Sequence, residues 1–125
     1  MPQLADQQFF DRLAELNEKF AGRLPATLER LAALSRQIDR AADEGTGAGT
    51  GTAAAAAELG AMLHTLAGSA ATFGFRELGH HARLLEQRLR VLTTFDRVAA
   101  ADWLIWRGEL DEYIAAAQRD PKSLR

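Results

Sequence analysis

The chain contains no cysteine, which excludes disulfides and thiolate chemistry and suits the cytosol. Lysine is scarce, with Lys19 and Lys122 the only two. The formal net charge is only −2 and the arginines are scattered, so no basic patch argues for nucleic acid. No apolar run approaches the roughly 18 residues of a membrane span. The opening MPQLADQQFF lacks the basic segment and apolar stretch of a signal peptide. A cytoplasmic location without membrane insertion is therefore expected. Sustained period-2 alternation is missing and β-branched residues are few, so nothing reads as a strand.

What remains is helical. The 125 residues are 47% hydrophobic and 26% charged, the profile of one folded soluble domain over 1–125. Leu4, Phe9, Phe10, Leu13, Leu16 and Phe20 recur at three- and four-residue steps, predicting a helix over 3–22. Pro25 suits the first turn of a new helix, where its missing N–H costs least. Leu28, Leu31, Leu34 and Ile38 carry that second helix over 25–43. A Gly/Thr-rich connector, EGTGAGTGT, occupies 44–52. Thr52 is the expected N-cap of a helix over 53–73, and Gly74 its stop. Further helices follow over 76–92, with Leu78, Ala82, Leu85, Leu89 and Leu92 in phase, and over 96–118, with Trp103, Trp106, Leu110, Ile114 and Ala117 in phase. The fold class is all-α: an antiparallel up-and-down four-helix bundle with an additional N-terminal helix.

The informative stretch is LHTLAGSAATFG, residues 63–74. At about 100° per residue, Leu59, Met62, Leu63, Leu66, Ala70 and Phe73 share a core-facing sector. His64, Gly68, Ala71 and Phe75 fall opposite, with Gly60, Ala61 and Ala67 on the flanks. A satisfied core histidine fits that phase poorly. Gly68, one turn beyond His64, costs a helix interior roughly 1 kcal/mol relative to alanine. What it gives in return is space: His64 stands on a low floor of Gly60, Ala61, Ala67, Gly68 and Ala71. That shape suits a partner bringing its own reactive group to the ring. Neutral imidazole is a competent nucleophile near neutral pH. No triad partner or phosphate-binding glycine loop accompanies it, so His64 reads as half of an active site.

The spacing of His64, Leu66, Gly68, Ser69, Ala70, Phe73 and Gly74, then Leu78, Ala82, Leu85 and Glu86, resembles the signature of the histidine phosphotransfer (HPt) domain. That resemblance implies a four-helix bundle whose exposed histidine is phosphorylated on Nε2. It implies exchange of the phosphoryl group with an aspartate on a response-regulator receiver domain, in company with a hybrid sensor histidine kinase. The HPt chain would have no kinase activity and no cofactor, the Mg²⁺ residing on the receiver. His64 becomes the phospho-acceptor and Gly68 the centre of the docking floor. The lysine usual three residues after the histidine is here Ala67, and Arg76 and Arg83 are the candidates to replace its charge.

Two rival readings compete. Glu77 and His80 have the Glu-x-x-His spacing of di-iron bundles, but such sites need a second motif and two more glutamates. His80 also projects away from the Leu78/Ala82/Leu85 stripe, so no metal site is expected. The second rival is a degenerate HPt-like bundle that serves only as an interaction or dimerisation module.

Overall fold

The computed structural model describes residues 2–43, 50–94 and 100–122. They form four helices: α1 (Pro2–Asp43), α2 (Thr50–Thr72), α3 (Arg76–Thr94) and α4 (Ala100–Arg119). Each packs on two neighbours, in the ring α1–α2–α3–α4 and back to α1. Leucine dominates the centre, with Leu28, Leu31, Leu34, Leu59, Leu63, Leu78 and Leu110 fully buried. Trp106 and Tyr113 tie α4 to α3, the indole N–H donating to the Leu85 carbonyl at 3.0 Å and the phenol to that of Leu78 at 2.8 Å. Burial pushes the ionisation of Tyr113 well above the ordinary phenol range, so it stays a donor.

The expected break between 3–22 and 25–43 does not exist. Pro25 lies inside one continuous helix, so the additional N-terminal helix is the first half of α1. A proline ring removes one i→i−4 bond, here to the Ala21 carbonyl. Ala21, Gly22 and Pro25 are all exposed, so water can satisfy that carbonyl. The flanks are anchored on both sides of the proline. Leu24 and Leu28 are anchored in the core, Thr27 Oγ1 donates to the Arg23 carbonyl, and the Phe20 ring meets those of Phe73 and Phe75.

Other boundaries shift less. Helix α2 begins at Thr50, which puts Thr52 inside it and not at the cap. The rest of the connector, 44–49, and the expected start of α4 near Asp96 lie outside the described residues. The α2 stop is as the glycine suggested. Gly74 has φ +88°, Phe75 N–H donates to the Ala70 carbonyl at 2.8 Å, and Gly74 N–H reaches that of Ala71 at 3.5 Å. This is a Schellman closure, which favours glycine because its φ is positive.

Helices α2 and α3 approach each other closely at Gly79. A Cβ there would lie 2.8 Å from the Ala67 carbonyl oxygen, 3.1 Å from the Ala71 nitrogen and 3.3 Å from the Ala70 Cβ. Two of those neighbours are backbone and cannot rotate away. Gly79→Ala should therefore destabilise the fold by about 1–3 kcal/mol, the usual cost of overpacking, despite alanine's better helix propensity. Gly108→Ala, in α4 with nothing within 4 Å, should instead stabilise it by up to about 1 kcal/mol. Thermal or urea unfolding of the two variants checks the opposite signs.

Candidate functional site

The small residues facing Gly79 set the depth at which α3 lies along α2. Two turns further along α3 from that contact comes Glu86, which the same approach carries to the edge of α2. There it meets His64: the ring Nδ1 lies 3.1 Å from Glu86 Oε1 and 3.3 Å from Oε2. The two partners differ sharply in exposure, with the His64 side chain 74% accessible and that of Glu86 10%. Glu86 is held from its other side by Arg90, whose Nη2 donates to Oε1 at 2.6 Å from one helical turn away.

This arrangement decides which ring nitrogen is free. A carboxylate only accepts hydrogen bonds, so the neutral ring places its proton on Nδ1. The lone pair then sits on Nε2, the nitrogen not engaged by Glu86. The oriented pair resembles the way a carboxylate fixes a histidine tautomer in other sites. Chemically it yields a nucleophile with a defined direction of attack and a nearby anion to balance charge developing on the ring.

The floor around His64 is partly as the helical phase implied. Ala61, Gly68 and Ala71 are exposed, and a Cβ at Gly68 would meet nothing within 4 Å. Two expectations fail. Ala67 is not on an exposed flank but only 4% accessible, under α3 beside Gly79. Phe75 is not opposite the core either. The chain has left the helix at Gly74, and the ring is buried against Phe20. Gly60 is half-buried, and a Cβ there would rest 3.6 Å from a Leu89 methyl. The stripe Gly60, His64, Ala67, Ala71 is thus the edge of α2 beside α3, with the open floor on the other side of the histidine.

The expected substitutes for the missing lysine, Arg76 and Arg83, are exposed on α3 and form no ion pair with a described residue. Arg90 is the cation connected to His64, through Glu86, and it is not among the residues that helical phase points to. The signal was there in the i,i+4 spacing of Glu86 and Arg90 together with a seven-residue step from Arg83. Nearby, His80 is exposed with its ring 5.9 Å from that of His81, and no group of three potential metal ligands occurs among the described residues.

The family model described as Hpt domain matches residues 7–120. The chain belongs to the Hpt family and is a phosphotransfer module of the two-component signalling type. Hpt domains are phosphotransfer intermediates, not kinases, and they work with receiver domains and kinases. Comparisons with curated proteins and with solved structures return no significant match. No helix among the described residues is long and apolar enough to cross a membrane.

The tautomer can be read directly. In the wild-type protein ¹⁵N shifts of the His64 ring should report a protonated Nδ1 and a bare Nε2 at neutral charge. Glu86→Ala should return the ring to a mixture of tautomers. An unchanged pattern in that variant would mean Glu86 does not orient the imidazole.

Proposed function

We propose that His64 is the phospho-acceptor, relaying a phosphoryl group between its Nε2 and the aspartate of a response-regulator receiver domain. The observation that carries this reading is the exposed ring with Nδ1 committed to Glu86 and Nε2 open to solvent. The Nε2 lone pair attacks the phosphorus of an aspartyl phosphate, a P–N bond forms, and the P–O bond to the aspartate breaks, returning its carboxylate. Nδ1 keeps its proton throughout, so the phosphorylated ring is an imidazolium, and Glu86 balances that positive charge. The step runs in reverse when the chain donates. Little covalent work falls to this chain, whose contribution is positioning. The Mg²⁺ that offsets phosphoryl charge is assigned to the receiver, which leaves this chain without a cofactor.

Arg90 takes the part that the absent lysine at Ala67 would play. A phosphoryl group carries roughly −1.5 to −2 charges and must be approached by an acidic receiver pocket. The guanidinium beside Glu86 lowers that repulsion, and Arg76 and Arg83, each seven residues apart on the same helix, extend the basic border. Ala67→Lys is then a poor test of the electrostatics, since its four-carbon stem would start from a position only 4% accessible.

Two experiments test the reading. Mixed with a phosphorylated cognate receiver and Mg²⁺, the protein should gain one acid-labile, alkali-stable phosphate. His64→Gln should abolish it with helical content unchanged, and labelling retained in that variant would place the acceptor elsewhere. Arg90→Ala should slow the transfer by about three- to tenfold, more at low salt than at high. Arg76→Ala and Arg83→Ala should have smaller effects, and equal effects of all three would deny Arg90 its special position.

The floor provides the other test. Gly68→Gln should raise stability by up to about 1 kcal/mol, since nothing obstructs the new side chain and glycine is the poorer helix former. Its rate of transfer should nevertheless fall, because the side chain stands one turn from the ring on the open side. An unaltered rate would show that the receiver does not dock over that turn.

A further inference from the structure

The first half of α1 runs on past the bundle. Phe20 meets Phe73 and Phe75 in the turn between α2 and α3, and most of the described side chains before it are exposed. The residues before Phe20 continue for about 27 Å at 1.5 Å each. Phe9 and Phe10 are 63% and 62% exposed, Leu16 is exposed, and Leu13 is half-buried. The stripe Phe9, Leu13, Leu16, Phe20 is in phase with Leu24, Leu28 and Leu31, the residues by which α1 enters its own core. A helical extension this short is marginal in water without a packed face. In the middle of the stripe, the shielded Asn17 Oδ1 has no donor among the described residues.

Charge identifies what covers it. Between Asp6 and Glu18 the extension carries four carboxylates, Asp6, Asp11, Glu15 and Glu18, against the single cation Arg12. The bundle end from which it emerges is basic. Lys19 and Arg23 flank Phe20, Arg76 opens α3, and Lys122 lies 5.4 Å over the Phe75 ring. None of those four is in an ion pair with a described residue, and Glu77 and Asp120 only partly offset them. One molecule therefore presents both an acidic apolar rod and a basic apolar seat.

We propose that two copies of this chain associate through the α1 extensions, packed antiparallel about a two-fold axis near Leu13. Overlap of residues 6–20, the stretch that carries the stripe and the carboxylates, puts the axis there and brings Asp6 of each copy level with the other's basic seat. A parallel pair is excluded by the continuous stripe, which would drive both bundles onto the same side. The exposed fractions of two aromatic side chains, with Leu13 and Leu16, leave roughly 300–400 Å² of apolar area to cover on each copy. With a little over half of an interface apolar, that is on the order of 1,200 Å² in total, the lower limit of a specific interface. The association is weak and reversible, with a dissociation constant on the order of micromolar. It leaves His64 uncovered and does not depend on the phosphotransfer reading.

Sedimentation equilibrium of the full chain from about 5 to about 300 µM brackets that constant. The expected result is a monomer–dimer equilibrium that weakens as salt rises. Phe9→Glu with Phe10→Glu should give a monomer throughout, while Leu104→Glu with Ile105→Glu, on the exposed face of α4, should leave the equilibrium unchanged. Because the chain has no cysteine, Leu13→Cys reports one position. It should form a disulfide-linked dimer under mild oxidation, whereas Phe9→Cys, far from the axis, should not. A wild-type monomer at every concentration overturns the proposal. So does a dimer that survives the phenylalanine substitutions, or efficient crosslinking at both cysteine positions, which would indicate a parallel pair.

Discussion

The close approach of α2 and α3 at Gly79 is the constraint on which the site depends. Three features of α2, the Ala67 carbonyl, the Ala70 methyl and the Ala71 nitrogen, leave no room for a side chain on the facing helix. A helix that sits this close advances its neighbours with it. Glu86, seven residues beyond Gly79 and so nearly above it, comes within 3.1 Å of the imidazole. Any added volume at Gly79 would act on the histidine geometry as well as on stability. Glycine here is a spacing device, unlike Gly68, which leaves open solvent above the helix, and Gly74, which serves a positive φ.

Much of this was legible in the residues. Leu78, Ala82, Leu85 and Leu89 on α3 are buried, and on α4 Trp106, Leu110, Ile114 and Ala117 pack inward as their spacing required, with Trp103 half-buried beside them. The exposure of His64 followed from its phase opposite Leu59, Leu63, Leu66 and Ala70. The break at Pro25 did not follow, because a proline's cost depends on where its orphaned carbonyl points. At this position Ala21 is exposed to water while Leu24 and Leu28 are anchored in the core. Ala67 was misread for a different reason. Alanine suits a surface and a close helix contact equally well, and α2 has too many alanines for its apolar face to be outlined sharply. Phe75 was assigned by extending the helical wheel past Gly74, where the wheel no longer applies. The tie from Arg90 through Glu86 to His64 spans two helices, and single-helix phase cannot specify the register between them.

The line from Arg90 to Glu86 to His64 has a graded exposure that matters for its proposed chemistry. Glu86 is largely withdrawn from water, so its hydrogen bond to Nδ1 is less open to competition from solvent than a surface contact. Arg90 remains in water at the outer end and prevents the carboxylate from being an isolated buried charge. The ring itself is mostly exposed. Such an order keeps the orienting group rigid while leaving the reacting nitrogen accessible, which a partner-supplied active site requires.

Moving the cation from α2 to α3 changes what the electrostatics depend on. A lysine three residues after the histidine travels with it on the same helix, whatever the neighbouring helix does. Arg90 belongs to α3, and its distance from the proposed phosphoryl position on His64 depends on the packing at Gly79 and on the Glu86 tether. Ala67 and Arg90 are then two sides of one arrangement. Ala67 is buried where α3 comes close to α2, and the same approach brings Glu86, with Arg90 paired to it, to the edge of the imidazole. In this account the absence of lysine is linked to the bundle's tight α2–α3 contact, and charge and spacing at the site are not independent.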